Sequence, residues 1–237
     1  MKWISVLAAT LLVAVIASPI MGQDQDTRPG IAVMALQNGG SYGPDAEDLA
    51  AMRVGLQQML LVEFQQNSAL RIVERSQLRQ ILDELNLLKD SLVSSQTAAR
   101  IGQLVGARYL VMGSFMDLYG DFHLNARVVD TETGEILVTE RVSDERGKIY
   151  PLIVSLANQL TEAIDLPALP VEIREQRQSR DIPNDAVYLM SRAVTYEDGG
   201  ETERAIDTYR RVIREFPQVT QARIALEQYT TAERRED

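Results

Sequence analysis

The chain has 237 residues, 45% of them hydrophobic and 24% charged, the balance of a soluble globular protein with a real core and not of a disordered one. That length suits one mid-sized domain with a smaller module, or one large domain. A formal net charge of −10 repels nucleic acid and anionic lipid, and the absence of cysteine excludes disulfides, thiolate metal sites and cysteine nucleophiles.

The first 22 residues form a separate unit. Lys2 gives a positive start, Ile4 to Ala17 is an almost unbroken apolar run, and Ser18-Pro19 ends it before Met21-Gly22-Gln23. This is the layout of a secretory signal peptide, with an apolar stretch short for a membrane-spanning helix. Cleavage after Gly22 or after Ala17 meets the need for a small residue at the cut; an uncleaved amino-terminal anchor is the alternative. No other apolar run approaches the roughly 20 residues that span a bilayer as a helix. Lipid attachment at an export signal requires cysteine. The expected mature protein is therefore periplasmic, not a lipoprotein, and not stably inserted in a membrane once the signal is removed.

Ile31-Ala32-Val33-Met34-Ala35-Leu36 is a continuous apolar run, which suits a central strand covered on both faces. Asn38 to Pro44 is turn-rich. Asp45 is placed to cap a helix running to about Gln66, with Leu49, Met52, Leu56, Met59, Leu60 and Phe64 on its core stripe. Leu70 to Glu74 is a short second strand. Ser76 is the expected cap of a helix carrying Leu78, Ile81, Leu82 and Leu85. Thr97 starts another, with Ala98, Ile101, Leu104 and Val105 apolar and Gly106 closing it. Strands over Tyr109–Met116, Phe122–Val129 and Glu135–Val142 follow, joined by turns at Tyr119-Gly120-Asp121 and Asp130 to Gly134. In the second of these, His123, Asn125 and Arg127 alternate with Phe122, Leu124, Ala126 and Val128, giving one wet and one dry face. A last helix spans about Ile149–Ile164.

Pro167, Pro170 and Pro183 around a polar stretch read as a linker. Beyond it come helices over Asp185–Glu197 and Glu203–Phe216, broken at Asp198-Gly199-Gly200 and stopped by Pro217, and a third from near Thr220. The expected organisation is a signal peptide at 1–22, an α/β domain at 23–166, a linker at 167–184 and a helical segment at 185–237. The fold class is α/β: a mixed sheet covered by helices, parallel near its start and antiparallel near its end, followed by a short all-α helical-repeat segment.

The pair of carboxy-terminal helices resembles a tetratricopeptide repeat, a 34-residue helical hairpin. Ala205 matches the usual alanine of its second helix, Gly200 the inter-helix turn, Tyr196 the usual tyrosine, Ala193 the small close-packing residue, Leu189 the first large apolar residue, Tyr209 the aromatic and Pro217 the closing proline. Arg192 departs from the pattern, which has leucine there. One and a half units fall short of the three or so that make a free-standing superhelix, so an ordinary helical hairpin that pads the first domain is the competing reading.

Residues 29–165 resemble the periplasmic domain of the curli-secretion-channel family and, more broadly, the related domains of penicillin-binding-protein activators and TolB amino-terminal regions. The resemblance rests on Arg71 to Leu78 followed by Ile81-Leu82, on Ile101 to Ser114, and on Ala126 to Leu137. Each piece alone is modest; their order and spacing carry the match. Two departures bear on function. Family channel proteins are lipoproteins, whereas this chain lacks cysteine. They also carry long insertions that form membrane-spanning hairpins, whereas here Asp117 to Asp121 and Ser143 to Lys148 are too short for transmembrane strands of about 9–11 residues each.

His123 is the single histidine, leaving one candidate for acid–base work and no multi-histidine metal site. No calcium loop or Gly-x-Gly-x-x-Gly phosphate cradle is present. The expectation is a non-enzymatic accessory or scaffold protein of envelope assembly, secretion or cell-wall synthesis. It would use no cofactor and no metal, have envelope proteins as partners, bind no nucleic acid, and be open to homo-oligomer formation. A hydrolase or metal-dependent enzyme using His123 and carboxylates is one rival, and an oligomeric outer-membrane secretion channel component the other. In the hairpin, Leu189, Ala193, Tyr196, Ala205, Tyr209 and Val212 are spent on packing. Tyr188, Arg192 and Thr195, at steps of four and three on one helical face, are then the candidate protein-binding residues, with the Arg192 guanidinium suited to an acidic group or chain terminus.

Overall fold

The computed structural model describes residues 26–41, 46–87 and 93–236. The export signal, the Asp45 cap and part of the Asn38–Pro44 loop lie outside the described residues. The elements follow in the order β1 (Gly30–Val33), β2 (Gln37–Asn38), α1 (Ala46–Gln65), β3 (Arg71–Ile72), α2 (Arg75–Glu84), α3 (Ser95–Leu104), β4 (Tyr109–Leu118), β5 (Asp121–Asp130) and β6 (Ile136–Glu145). A short 3-10 turn leads to α4 (Ile149–Ala163), α5 (Val171–Gln178), α6 (Asn184–Asp198), α7 (Thr202–Glu215) and α8 (Thr220–Glu236).

The strands form one mixed sheet in the order β3-β1-β4-β5-β6, with β2 pairing onto β4. β1 is parallel to β3 and β4, while β4, β5 and β6 are antiparallel, as the element order predicts. Inward side chains alternate along β5: Phe122, Leu124, Ala126 and Val128 are buried, and His123, Asn125 and Arg127 are half-exposed. One core lies between the sheet's first face and α1, α4, α6 and α7, built on Ile31, Val33, Phe115, Phe122 and Leu124. A smaller one lies under α2 and α3 on the other face, around Ala32, Leu78, Ile101, Leu110 and Val129.

The turns follow their chemistry. Tyr119 and Gly120 both have positive φ, 56° and 99°, as a two-residue turn twisted to match its strands requires. The Asp117 side chain braces this turn by accepting from Gly120 N at 2.8 Å. Asp130 Oδ1 accepts from Glu132 N and Thr133 N at 2.8 and 3.1 Å, while Gly134 takes φ 77°.

Several expectations need correction. The first apolar run is not one strand: β1 stops at Val33, Met34 N still donates to Val111 O at 2.9 Å, and residues 35–36 leave the ladder. α1 draws them off, with buried Gln57 donating Nε2 to Val33 O at 2.6 Å and Leu36 N donating to Arg53 O at 3.0 Å. Ser76 is not a cap. α2 begins at Arg75, with Glu74 in the cap position and no side-chain capping bond. α3 begins at Ser95, capped by Ser94, whose hydroxyl accepts from Thr97 N. Leu104 is 52% exposed and not a core residue.

The proline-bounded stretch after α4 contains α5, and its Arg177 is among the most buried side chains of the protein. Arg177 and Glu63 of α1 form an ion pair with 1% of either side chain exposed. Glu63 Oε1 also accepts from Tyr150 OH of α4 at 3.0 Å. Burial first, and the neighbouring Glu63 carboxylate second, push the Tyr150 hydroxyl up to about 12.

Candidate protein-binding site

Of the six residues that the hairpin pattern assigns to packing, five are buried, and Tyr196 is only half-buried, with Arg204 over its ring. Ala193, Ala205, Tyr209 and Val212 are fully or almost fully buried and Leu189 nearly so. Tyr209 donates its hydroxyl to Glu197 Oε2 at 2.6 Å, and burial, with Glu197 adding to it, raises the Tyr209 pKa. Glu197 and Asp198 in turn receive Arg75 of α2, and Asp198 also Arg79. Charge thus ties the end of α6 to the start of α2.

α6 lies directly on α1. Gly55 of α1 meets Ser191 of α6 so closely that a β-carbon on Gly55 would overlap the Ser191 side chain and stand 2.7 Å from its Cα. Helix axes approach this near only where one partner has no side chain. Of the candidate residues on α6, Arg192 is paired with α1. Arg192 places Nε at 2.6 Å and Nη2 at 2.5 Å from Asp48 Oδ1 of α1. Tyr188 is half-buried, and Thr195 is exposed with its hydroxyl donated to Ser191 O at 2.8 Å. The structure keeps Tyr188, Arg192 and Thr195 on one helix but does not gather them round a cavity.

The cavity on these helices lies elsewhere. A cleft of about 340 Å³ opens between α1, the start of α2 and helices α6–α8. Gln58 and Gln65 of α1 and Gln66 just after it face Gln221 and Ile224 of α8 across it, with Arg180 and Met190 at its wall. None of Tyr188, Arg192 or Thr195 lines it. Gln221 Oε1 is buried without a hydrogen-bond partner, and Ile224 is 56% exposed. Side-chain amides both donate and accept, so such a wall matches the alternating groups of a polypeptide backbone. The sequence signal for it was the run of glutamines on α1, which reads as a solvated flank until α8 is placed opposite.

His123 lies on the open sheet face, 3.2 Å from Asp121. Among the described residues, no three histidine, cysteine, aspartate or glutamate side chains converge to hold a metal ion. No described helix is long and apolar enough to cross a membrane.

No curated protein matches the chain. Among solved structures, the LpoB C-terminal domain from Escherichia coli is 24% identical, covering 53% of this chain and 89% of that one with a TM-score of 0.35. TolB from Acinetobacter baumannii is 15% identical over 59% of this chain and 29% of its own, TM-score 0.42. The PelC dodecamer from Paraburkholderia phytofirmans is 13% identical over 59% and 90%, TM-score 0.29. Residues 20–120 match the family described as curli production assembly/transport component CsgG.

Proposed function

We propose that the protein is a non-enzymatic accessory or scaffold protein of the bacterial envelope, exported to the periplasm, that acts by binding other proteins. The observation that carries this reading is the amide-lined cleft between α1 and α6–α8. It combines a buried acceptor without a donor at Gln221, an exposed apolar side chain at Ile224 and a cation at Arg180. Together these groups suit the alternating polar backbone and the side chains of an extended polypeptide. Tyr188, Arg192 and Thr195 would extend the surface along α6, with Arg192 reaching a partner's carboxylate only by leaving Asp48.

Affinity capture from an envelope extract, with the mature protein and its Ile224→Asp variant, tests the proposal. Ile224 is exposed, so the variant should keep the melting temperature while losing the partners that the unaltered protein retains. The same proteins captured by both would remove the cleft from the function.

A further inference from the structure

The sheet has two unequal edges. β3 ends it on one side with a single residue pair, Arg71–Ile72, whereas β6 ends it on the other with ten residues, Ile136–Glu145. Nothing among the described residues pairs with the outer side of β6. Natural sheets rarely leave so long an edge open, because its free N–H and C=O groups are a template for another strand. The β6 register slips by one residue beside Val128 and Val129, which leaves Ile136 and Leu137 46% and 44% exposed at the start of the edge.

Two further features lie along this edge. On one side a groove of about 430 Å³ separates β6 from α4, with Val142 and Asp144 on the strand and Pro151, Leu152 and Ser155 on the helix. Val142 and Leu152, 7% and 6% exposed, form its apolar floor. On the other face stands Arg141. It donates Nε to the neutral Asn125 Oδ1 at 2.7 Å, and no carboxylate among the described residues pairs with it. Asp144, by contrast, is held by Lys148 at 3.1 Å, and its pKa is lowered by the Glu145 backbone N–H and by Lys148.

We propose that β6 takes an extended segment of a partner protein as an added strand. One side chain of that segment enters the Val142–Leu152 groove, and the adjacent one presents a carboxylate to Arg141. Neighbouring residues of a strand point to opposite faces, so an apolar residue next to an acidic one satisfies both features. A residue directly opposite Arg141 has its β-carbon about 4.5–5.5 Å away, within reach of a charge-assisted bond to the guanidinium.

A second copy of this chain does not fit. Twofold pairing that continues the sheet keeps each side chain on its own face, so opposed residues must be an even number of positions apart. Of the registers overlapping residues 138–145 most fully, one sets Arg141 against Arg141. The other sets Glu140 against Asp144 twice. Like charges directly opposed destabilise a pair of strands.

The inference extends the protein-binding reading to a second surface, and its test does not involve the cleft. The probe is a short end-capped peptide alternating threonine and valine with one central aspartate, titrated into the full mature chain and followed by backbone amide NMR shifts. Saturable shifts confined to β6 and α4 are expected. Binding should weaken about tenfold or more, at least 1.4 kcal/mol, when lysine replaces the aspartate, and the preference should reverse with Arg141→Glu. N-methylation of alternate peptide amides, which leaves the protein unaltered, should abolish binding in one of the two methylation phases. No binding, shifts elsewhere, equal binding of the lysine peptide, or β6 shifts that appear on concentrating the protein alone would each overturn the proposal. Ile224→Asp should leave peptide binding unchanged, so failure of the cleft reading and failure of this one are separable.

Discussion

Glu63 and Arg177 show how much one buried pair can decide. Both are 1% exposed, and they join α1 to a helix in a segment whose composition reads as a linker. Two charges removed from water repay their desolvation only through good geometry, and removing one partner leaves the other buried and unpaired, at a cost of about 3–5 kcal/mol. Arg177→Met is expected to destabilise the protein by that amount in urea melts. Adding Glu63→Gln should recover most of the loss, because no bare carboxylate then remains. Tyr150 shares the cluster and gives it a pH signature. Its folded pKa, about 12, stands above the ordinary tyrosine value of 10.0, so the folded state holds a proton that the unfolded chain releases. Stability from this group is whole below pH 10 and is lost as pH rises toward 12. Tyr150→Phe should flatten that alkaline decline, read as the difference between the two proteins' stability curves. An unchanged slope would remove Tyr150 as its source.

At the scale of elements, the contact between α1 and α6 turns on Gly55 and Ser191. Gly55→Ala puts a methyl group into the Ser191 side chain and backbone, an overpacking expected to cost about 1–3 kcal/mol. Ser191→Gly vacates part of that space, so the double variant should lose less stability than the sum of the two singles. Strict additivity in the denaturant midpoints would show that the helices do not touch there. This contact also marks where sequence reading ran out. Periodicity located α1, α4 and strands β4–β6, because the core stripe of α1 and the alternation along β5 are properties of single elements; α5 has no such stripe and reads as linker. Tetratricopeptide spacing identified Ala193, Ala205 and Tyr209 as packing residues, and they are buried. A glycine within a helix says only that something approaches, not which element does. Arg192 was legible as a departure from a pattern, but its partner Asp48 lies 144 residues away. Ser76 has the hydroxyl that favours a cap, yet α2 starts at Arg75, with Glu74 in the cap position, and buries Leu78. The glutamine-lined cleft and the free edge of β6 depend on which elements end up as neighbours, which no local pattern encodes.

Over the whole molecule, the question is whether the helices after Pro170 are a module or a wall of the first core. Ile182, Ala186, Val187 and Met190 belong to the same buried cluster as Phe115, Phe122, Leu124 and the inner stripe of α1. Asn184 donates its side-chain amide to Arg146 O, just beyond β6. Arg75, Arg79, Glu197 and Asp198 close the far end with charge. Burial of apolar surface is worth roughly 25 cal/mol per Å², and a whole domain retains only about 5–15 kcal/mol of net stability. Stripping one helix from α1 therefore removes a large share of the margin. A chain ending at Pro170 also leaves Glu63 without its guanidinium. It is expected to melt well below the full-length protein, with a broadened transition and bound hydrophobic dye. A chain ending at Gln218 loses α8 but keeps α5–α7 and the α1–α6 contact, so its transition should stay sharp and fall less. If the Pro170 chain instead melts cooperatively at the full-length temperature and binds no dye, the sheet and its own helices suffice. The carboxy-terminal helices would then be a separable module that docks on a finished domain.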